Sequence, residues 1–194
     1  MRLFVAIEAP EAWRDALAAT RRALPSDVAR SLRFVEPRLA HVTLKFIGEA
    51  GDDAPGRLRD ALDAAVPPFA IPLRLGRAGT FGPAARTQVA WLGIEGDLDG
   101  LRALAERVDQ AVATALGLPR ESRPYSPHLT FARVRSSATA EERRAVAEAV
   151  AALPPPPPSA FEARQAVVVH SILGPDGPRY RVLSHHGTPG NGAV

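Results

Sequence analysis

Cysteine is absent from the 194 residues, which excludes disulfides, thiolate chemistry and cysteine-ligated zinc. Lysine occurs once, at Lys45, so nearly all of the positive charge is arginine. A net charge of only +3 and a pI near 10.1 are then compatible, because guanidinium groups do not titrate in range. With abundant alanine and proline, the arginine content reads as the codon bias of a GC-rich genome and does not by itself argue for nucleic-acid binding. No apolar run approaches the ~20 residues needed to span a bilayer. The apolar start Met1 to Ile7 is interrupted by Glu8, which is too short for a signal peptide and suits a first strand. Without cysteine, a reducing cytoplasm is the expected compartment, and a monomer without membrane attachment is the expected state.

What is present supports a folded core. Apolar residues make up 46% and charged residues 23%. One domain over residues 1–186 is expected, with 187–194 as a disordered tail. Strands are expected at 2–8, 32–35, 41–47, 69–77, 87–95, 128–134, 160–172 and 179–185, closed by Gly and Pro punctuation. The Gly174-Pro175-Asp176-Gly177-Pro178 stretch separates the last two. Helices are expected over 12–24, over 53–66 with Asp52 or Asp53 as cap, over 98–116 between Asp97 and Gly117, and over 140–153 behind a Thr139…Glu142 capping box. Pro154 to Pro158 reads as an extended polyproline spacer. The order is mixed, without regular β-α alternation, which favours an α+β protein.

Two short stretches carry the chemistry. Ala40-His41-Val42-Thr43-Leu44 and Pro127-His128-Leu129-Thr130-Phe131 share one frame, 87 positions apart, in a chain with five histidines. Residues two apart on a strand share a face. His41 therefore sits with Thr43 and His128 with Thr130, while Val42, Leu44, Leu129 and Phe131 pack behind. If both strands face one cleft, two imidazoles and two hydroxyls converge. One imidazole neutral and the other protonated meets the requirement for paired general base and acid catalysis. The fitting reaction is in-line displacement at phosphorus, with the hydroxyls on phosphoryl oxygens and a ribose 2′,3′-cyclic phosphate as substrate. No His-x-x-x-His or nearby acidic ligand suggests a metal, and no cofactor is implied. His170 reads as a strand residue, and His185-His186 as a strand end or tail.

The stretches His41 to Gly48 and Pro127 to Arg133 resemble the paired motifs of the two-histidine phosphoesterase superfamily. More narrowly, they are similar to those of the bacterial and archaeal RNA 2′,3′-cyclic phosphodiesterases, also called 2′-5′ RNA ligases. Met1 to Ile7, Arg86 to Gly93 and Ser171 to Tyr180 extend the likeness. The resemblance implies a bilobal α+β fold, with two related antiparallel-sheet lobes and flanking helices around a central cleft. It implies metal-independent hydrolysis of RNA cyclic phosphate ends to 2′-phosphomonoesters, with His41 as proton donor and His128 as proton acceptor. Small cyclic nucleotides, 2′-5′-linked oligonucleotides, reversible ligation and a non-catalytic RNA-binding role on the same fold are the alternatives.

Further candidates surround the motifs. Arg133 holds the position where the family binds phosphate, yet strict alternation turns it away from His128, so reaching the cleft requires a strand end or bulge. Lys45 alternates onto the face of His41 and Thr43, either to neutralise phosphate or as a rim residue, and Phe46 alternates into the core. Tyr180 and Phe81 are candidates for stacking on a base, and Arg86 is a further candidate phosphate ligand.

Overall fold

The structure is a computed structural model and describes residues 1–175 and 177–188. Strand β1 (Arg2–Glu8) leads into helix α1 (Glu11–Ala23), the short helix α2 (Ser26–Arg30), β2 (Leu32–Phe34) and β3 (His41–Glu49). Helix α3 (Ala54–Ala65) and the hairpin β4 (Ile71–Phe81) and β5 (Val89–Gly96) follow. Then come α4 (Leu98–Leu116), β6 (His128–Val134), α5 (Ala140–Ala151), β7 (Ala160–Ala163), β8 (Gln165–Gly174) and β9 (Gly177–Gly187).

The strands pair antiparallel in the order β7-β4-β5-β6-β3-β1-β8-β9, with β2 added on β6. The two His-x-Thr strands, β3 and β6, are neighbours at the centre, and their only registered pair is Val42 with Leu129. On either side of that seam lies a four-strand run, β3-β1-β8-β9 and β6-β5-β4-β7. The fold is thus the bilobal α+β arrangement that the resemblance implies.

One face of the sheet carries the main core. Leu3, Val5 and Ile7 of β1 and Leu129 and Phe131 of β6 are fully buried there with Trp13, Leu58, Leu62, Leu101 and Val108 from the helices. Helix α4 shows why it forms. Leu101, Leu104, Val108 and Val112 recur at helical spacing, and each buried side chain contributes about 1.5–3 kcal/mol. Asp97 accepts the Gly100 amide at 2.9 Å, and Gly117 ends the helix at φ 68°. The opposite face buries a smaller cluster, Phe4, Ala6, Val167 and Val169, with Tyr180 and Val182 against it.

Several expectations need correction. Ser26–Arg30 is helical, held by Pro25 accepting the Ala29 amide. Asp53 makes no capping bond and pairs with Arg57 instead. Strand β4 runs on through Gly76 and Gly79 to Phe81, so the turn begins only at Gly82. The expected strand 160–172 is two strands, separated at Arg164, which join opposite ends of the sheet. Gly187 belongs to β9, and the Thr188 hydroxyl donates to the Phe69 carbonyl at 2.9 Å, so the chain is ordered past the expected start of the tail. Asp176 of the expected turn and residues 189–194 of the expected tail lie outside the described residues.

Candidate active site

Strands β3 and β6 run antiparallel through the Val42–Leu129 pair. A residue before that pair on one strand stands across from a residue after it on the other. His41 therefore lies on the Thr130 side, and His128 on the Thr43 side. The four side chains the sequence singles out meet as two crossed His/Thr pairs on one face.

Each imidazole is oriented in the same way. His41 Nδ1 lies 2.8 Å from the Leu39 carbonyl, and His128 Nδ1 lies 2.8 Å from the Ser126 carbonyl. A carbonyl only accepts, so Nδ1 carries the proton in both rings and donates it. Nε2 has no protein partner among the described residues and is the nitrogen free for chemistry. Aromatic rings brace both imidazoles. Phe4 stacks on His41 with centroids 4.7 Å apart, and Tyr180 meets it edge-on at 5.5 Å. Phe81 meets His128 edge-on at 4.7 Å, with Trp91 at 6.5 Å. Tyr180 and Phe81 thus both reach the histidines, one on each side.

Two β-bulges decide which later residues share this face. Along β5, Gly93, Trp91 and Val89 occupy one face by simple alternation. They pair with His128, Thr130 and Arg133 in turn, because Phe131 is skipped in the register. The extra residue buries Phe131 and Ala132 together and returns Arg133 to the histidine face. Strand β3 does the same. Glu8, Ala6 and Phe4 pair with His41, Thr43 and Phe46, and Leu44 is skipped. Lys45 is thereby turned into the core, against the expectation that it shares the face of His41. Phe46 is turned out, against the expectation that it is core. The residue is 56% exposed, and the Arg2 guanidinium lies over its ring at 5.3 Å. Phe46 and Arg133 each stand five residues after their histidine, so the two lobes place an aromatic and a cation at equivalent positions.

Lys45 has a different task. Its Nζ donates to Asp109 Oδ1 of α4 at 2.5 Å, with both side chains about 10% exposed. Arg120 Nε donates to Asp109 Oδ2 at 2.9 Å, and the Glu121 amide donates to the same carboxylate. Burial alone would raise the Asp109 pKa, but the hydrogen bonds from Lys45, Arg120 and Glu121 outweigh it and hold the carboxyl below its ordinary value. This ion cluster anchors the loop between α4 and β6. Tyr125 in the same loop donates its hydroxyl to the Thr43 carbonyl at 3.0 Å, tying the approach to His128 directly onto β3. Neither Tyr125 nor Asp109 carries a distinguishing signal in the sequence, since they read as ordinary loop and helix residues.

The electrostatics of the two histidines match. Burial lowers the His41 pKa; the bond to Leu39 opposes this, and the His128 and Arg133 charges lower it further. Burial also lowers the His128 pKa; the bond to Ser126 opposes it, and Arg133 adds to the lowering. Both rings are therefore neutral near pH 7 in the free protein. An anion seated between them favours protonation of either one.

Arg86 lies beyond this centre. It lines a cavity of about 400 Å³ with Phe81, and a second of about 650 Å³ with Arg133. Of the two remaining histidine readings, His170 is a β8 residue as expected. His186 is not a loose strand end: it is buried between Ser184 (2.8 Å) and Asp63 of α3 (2.8 Å) and fastens β9 to that helix. Among the described residues no helix is long and apolar enough to cross a membrane.

Known proteins share this architecture. A family model for the 2′-5′ RNA ligase superfamily matches residues 8–172. An RNA 2′,3′-cyclic phosphodiesterase of Methanothermobacter thermautotrophicus is 32% identical, covering 93% of this chain and 95% of its own. The protein of that name from Methanocaldococcus jannaschii is 27% identical, covering 94% and 98%. The crystal structure of E. coli LigT complexed with 3′-AMP superposes with a TM-score of 0.74 at 26% identity, covering 95% of each chain. The family match spans both His-x-Thr strands and most of the sequence between the termini, and the chain belongs to the 2′-5′ RNA ligase superfamily.

Proposed function

We propose that this protein hydrolyses RNA ends carrying a 2′,3′-cyclic phosphate to 2′-phosphomonoesters. The carrying observation is the pair of imidazoles on one face of one strand pair, each with Nδ1 committed to a backbone carbonyl and Nε2 without a protein partner among the described residues. Relatives named RNA 2′,3′-cyclic phosphodiesterase support the substrate.

In this reading His128 Nε2 takes a proton from water as its oxygen attacks phosphorus. The P–O3′ bond breaks, and Nε2–H of protonated His41 gives its proton to the leaving 3′ oxygen. The products are a 2′-phosphomonoester and a free 3′ hydroxyl. The order, His41 as acid and His128 as base, follows the resemblance of the motifs. Thr43 and Thr130 donate hydrogen bonds to the non-bridging oxygens, and Arg133 offsets the charge that grows on them. The bound anion raises the His41 pKa from its lowered free value, so the acid is charged when substrate is present. Phe46, Tyr180 and Phe81 form the aromatic surfaces on which a terminal base can stack.

The roles separate experimentally. A phosphodiester with a p-nitrophenolate leaving group needs no proton at the departing oxygen. His41→Ala should lose less than about tenfold on it, whereas His128→Ala should lose about 10²-fold or more. Equal losses in the two variants would contradict the assignment of acid and base.

A further inference from the structure

Among the described residues, the cavity of about 650 Å³ adjoining the histidine site is lined by five arginines, Arg33, Arg86, Arg133, Arg135 and Arg143, and by no carboxylate. Two of the five are accounted for by the fold. The Arg143 guanidinium donates to the carbonyls of Thr87, Arg135 and Ala138, and Arg135 donates to the Arg30 carbonyl. Arg33, Arg86 and Arg133 have neither a hydrogen-bond nor an ion-pair partner for their guanidinium groups among the described residues. Arg33 of β2 and Arg133 of β6 are also direct cross-strand partners. Paired residues of an antiparallel ladder project from the same face, and like charges placed so destabilise the sheet. Nothing in the core requires this: both side chains are exposed.

The cavity is linked to the reaction centre through shared residues in two ways. Arg133 belongs to it and also acts on the charge of both histidines. Arg86 and Gln88 belong both to it and to the neighbouring cavity that contains Phe81, the ring against His128. Neighbouring residues therefore lead from His128 through Phe81 and Arg86 to Arg33.

We propose that this arginine cavity is a second phosphate site, which holds an internal phosphodiester of the RNA strand upstream of the cyclic end. The guanidinium forks suit phosphate oxygens, and their mutual repulsion is relieved when the anion enters. The site makes the protein a reader of strands rather than of single nucleotides, and Arg33 is its specificity-determining residue. The proposal rests on the hydrolytic reading above.

A nucleoside 2′,3′-cyclic phosphate lacks the second phosphate and reads the histidine site alone; failure of the wild type to hydrolyse it would count against the hydrolytic reading. The second site is read by comparing that substrate with a trinucleotide ending in cyclic phosphate. Arg33→Gln should raise KM for the trinucleotide about tenfold, with kcat and the mononucleotide parameters changed less than twofold. Binding of a labelled oligonucleotide with a 3′-phosphate needs no turnover. Its log Kd against log salt should become shallower by about 0.7 in Arg33→Gln, the share of one phosphate contact on a single strand. Arg33→Lys should restore much of the slope. An unchanged KM ratio with an unchanged slope would overturn the proposal. So would Arg33-dependent binding of ATP without such dependence for the oligonucleotide, which would assign the cavity to free nucleotides.

Discussion

At the scale of single residues, each motif histidine is oriented by a backbone carbonyl two positions upstream, not by a carboxylate. A carbonyl fixes the tautomer without adding the negative charge that would stabilise an imidazolium, so burial dominates, Arg133 adds to it, and both pKa values fall. The kcat/KM profile against pH should be a bell centred below the ordinary histidine value of about 6.5. In Arg133→Gln the nearby positive charge is gone, both pKa values rise, and the bell should move to higher pH. Its height should fall about 10²-fold as phosphate loses its cation. A lower height without movement of the bell would mean that Arg133 binds substrate but does not tune the histidines. His41, Thr43, His128 and Thr130 were legible in the sequence because one four-residue frame occurs twice, and a strand period of two needs no tertiary information. Lys45, Phe46 and Arg133 were not, because the period stops applying beyond the bulges. One trace of the second bulge is visible: Phe131-Ala132 sets two apolar residues where alternation allows one. Lys45 leaves no such trace, since its partner Asp109 is 64 positions away.

At the scale of elements, local signals are reliable where the capping groups lie within the same few residues. The Thr139 hydroxyl accepts the Glu142 amide at 3.2 Å and the Glu142 carboxylate accepts the Thr139 amide at 2.6 Å, as the sequence pattern predicts. Asp53 shows the limit, because a suitable residue type in front of a helix turned instead toward Arg57. Thr139→Ala should cost about 1 kcal/mol in chemical denaturation and Asp53→Ala a few tenths. Equal costs would show that Asp53 caps in solution. The hairpin β4–β5 carries a further constraint. A Cβ on Gly79 would lie 2.4 Å from the Trp91 ring, its cross-strand partner. Gly79→Ala should therefore displace Trp91, and with it the Phe81 and His128 contacts. The expected cost is about 1–3 kcal/mol, with a lowered kcat. Full stability together with full activity in that variant would show that the ring has room to move.

At the scale of the whole molecule, two four-strand lobes meet at the Val42–Leu129 pair, and the crossing of the two motifs there creates the site. The repeat was visible in the sequence, but the joining of β3 to β6 depends on long-range pairing that no local pattern encodes. The Lys45–Asp109–Arg120 cluster holds the connecting loop, and its carboxylate has a lowered pKa. A group lowered on folding adds stability at neutral pH and loses it as pH falls through its folded value. Asp109→Asn should therefore unfold at a lower temperature than the wild type at pH 7, with the gap narrowing below about pH 4. Lys45→Met, which leaves the buried carboxylate with Arg120 and the Glu121 amide alone, should cost about 2 kcal/mol at pH 7. A gap that stays constant with pH would remove Asp109 from the account of acid stability.

The proposed hydrolysis depends on two imidazoles meeting across one strand pair. It is tested most directly by following an oligonucleotide ending in 2′,3′-cyclic phosphate, with EDTA present, against wild type, His41→Ala and His128→Ala, all confirmed as folded. The wild type should yield a 2′-phosphomonoester, and each variant should lose about 10²–10⁴-fold in rate. Near-normal turnover by either variant, or wild-type activity that disappears with EDTA, would contradict it.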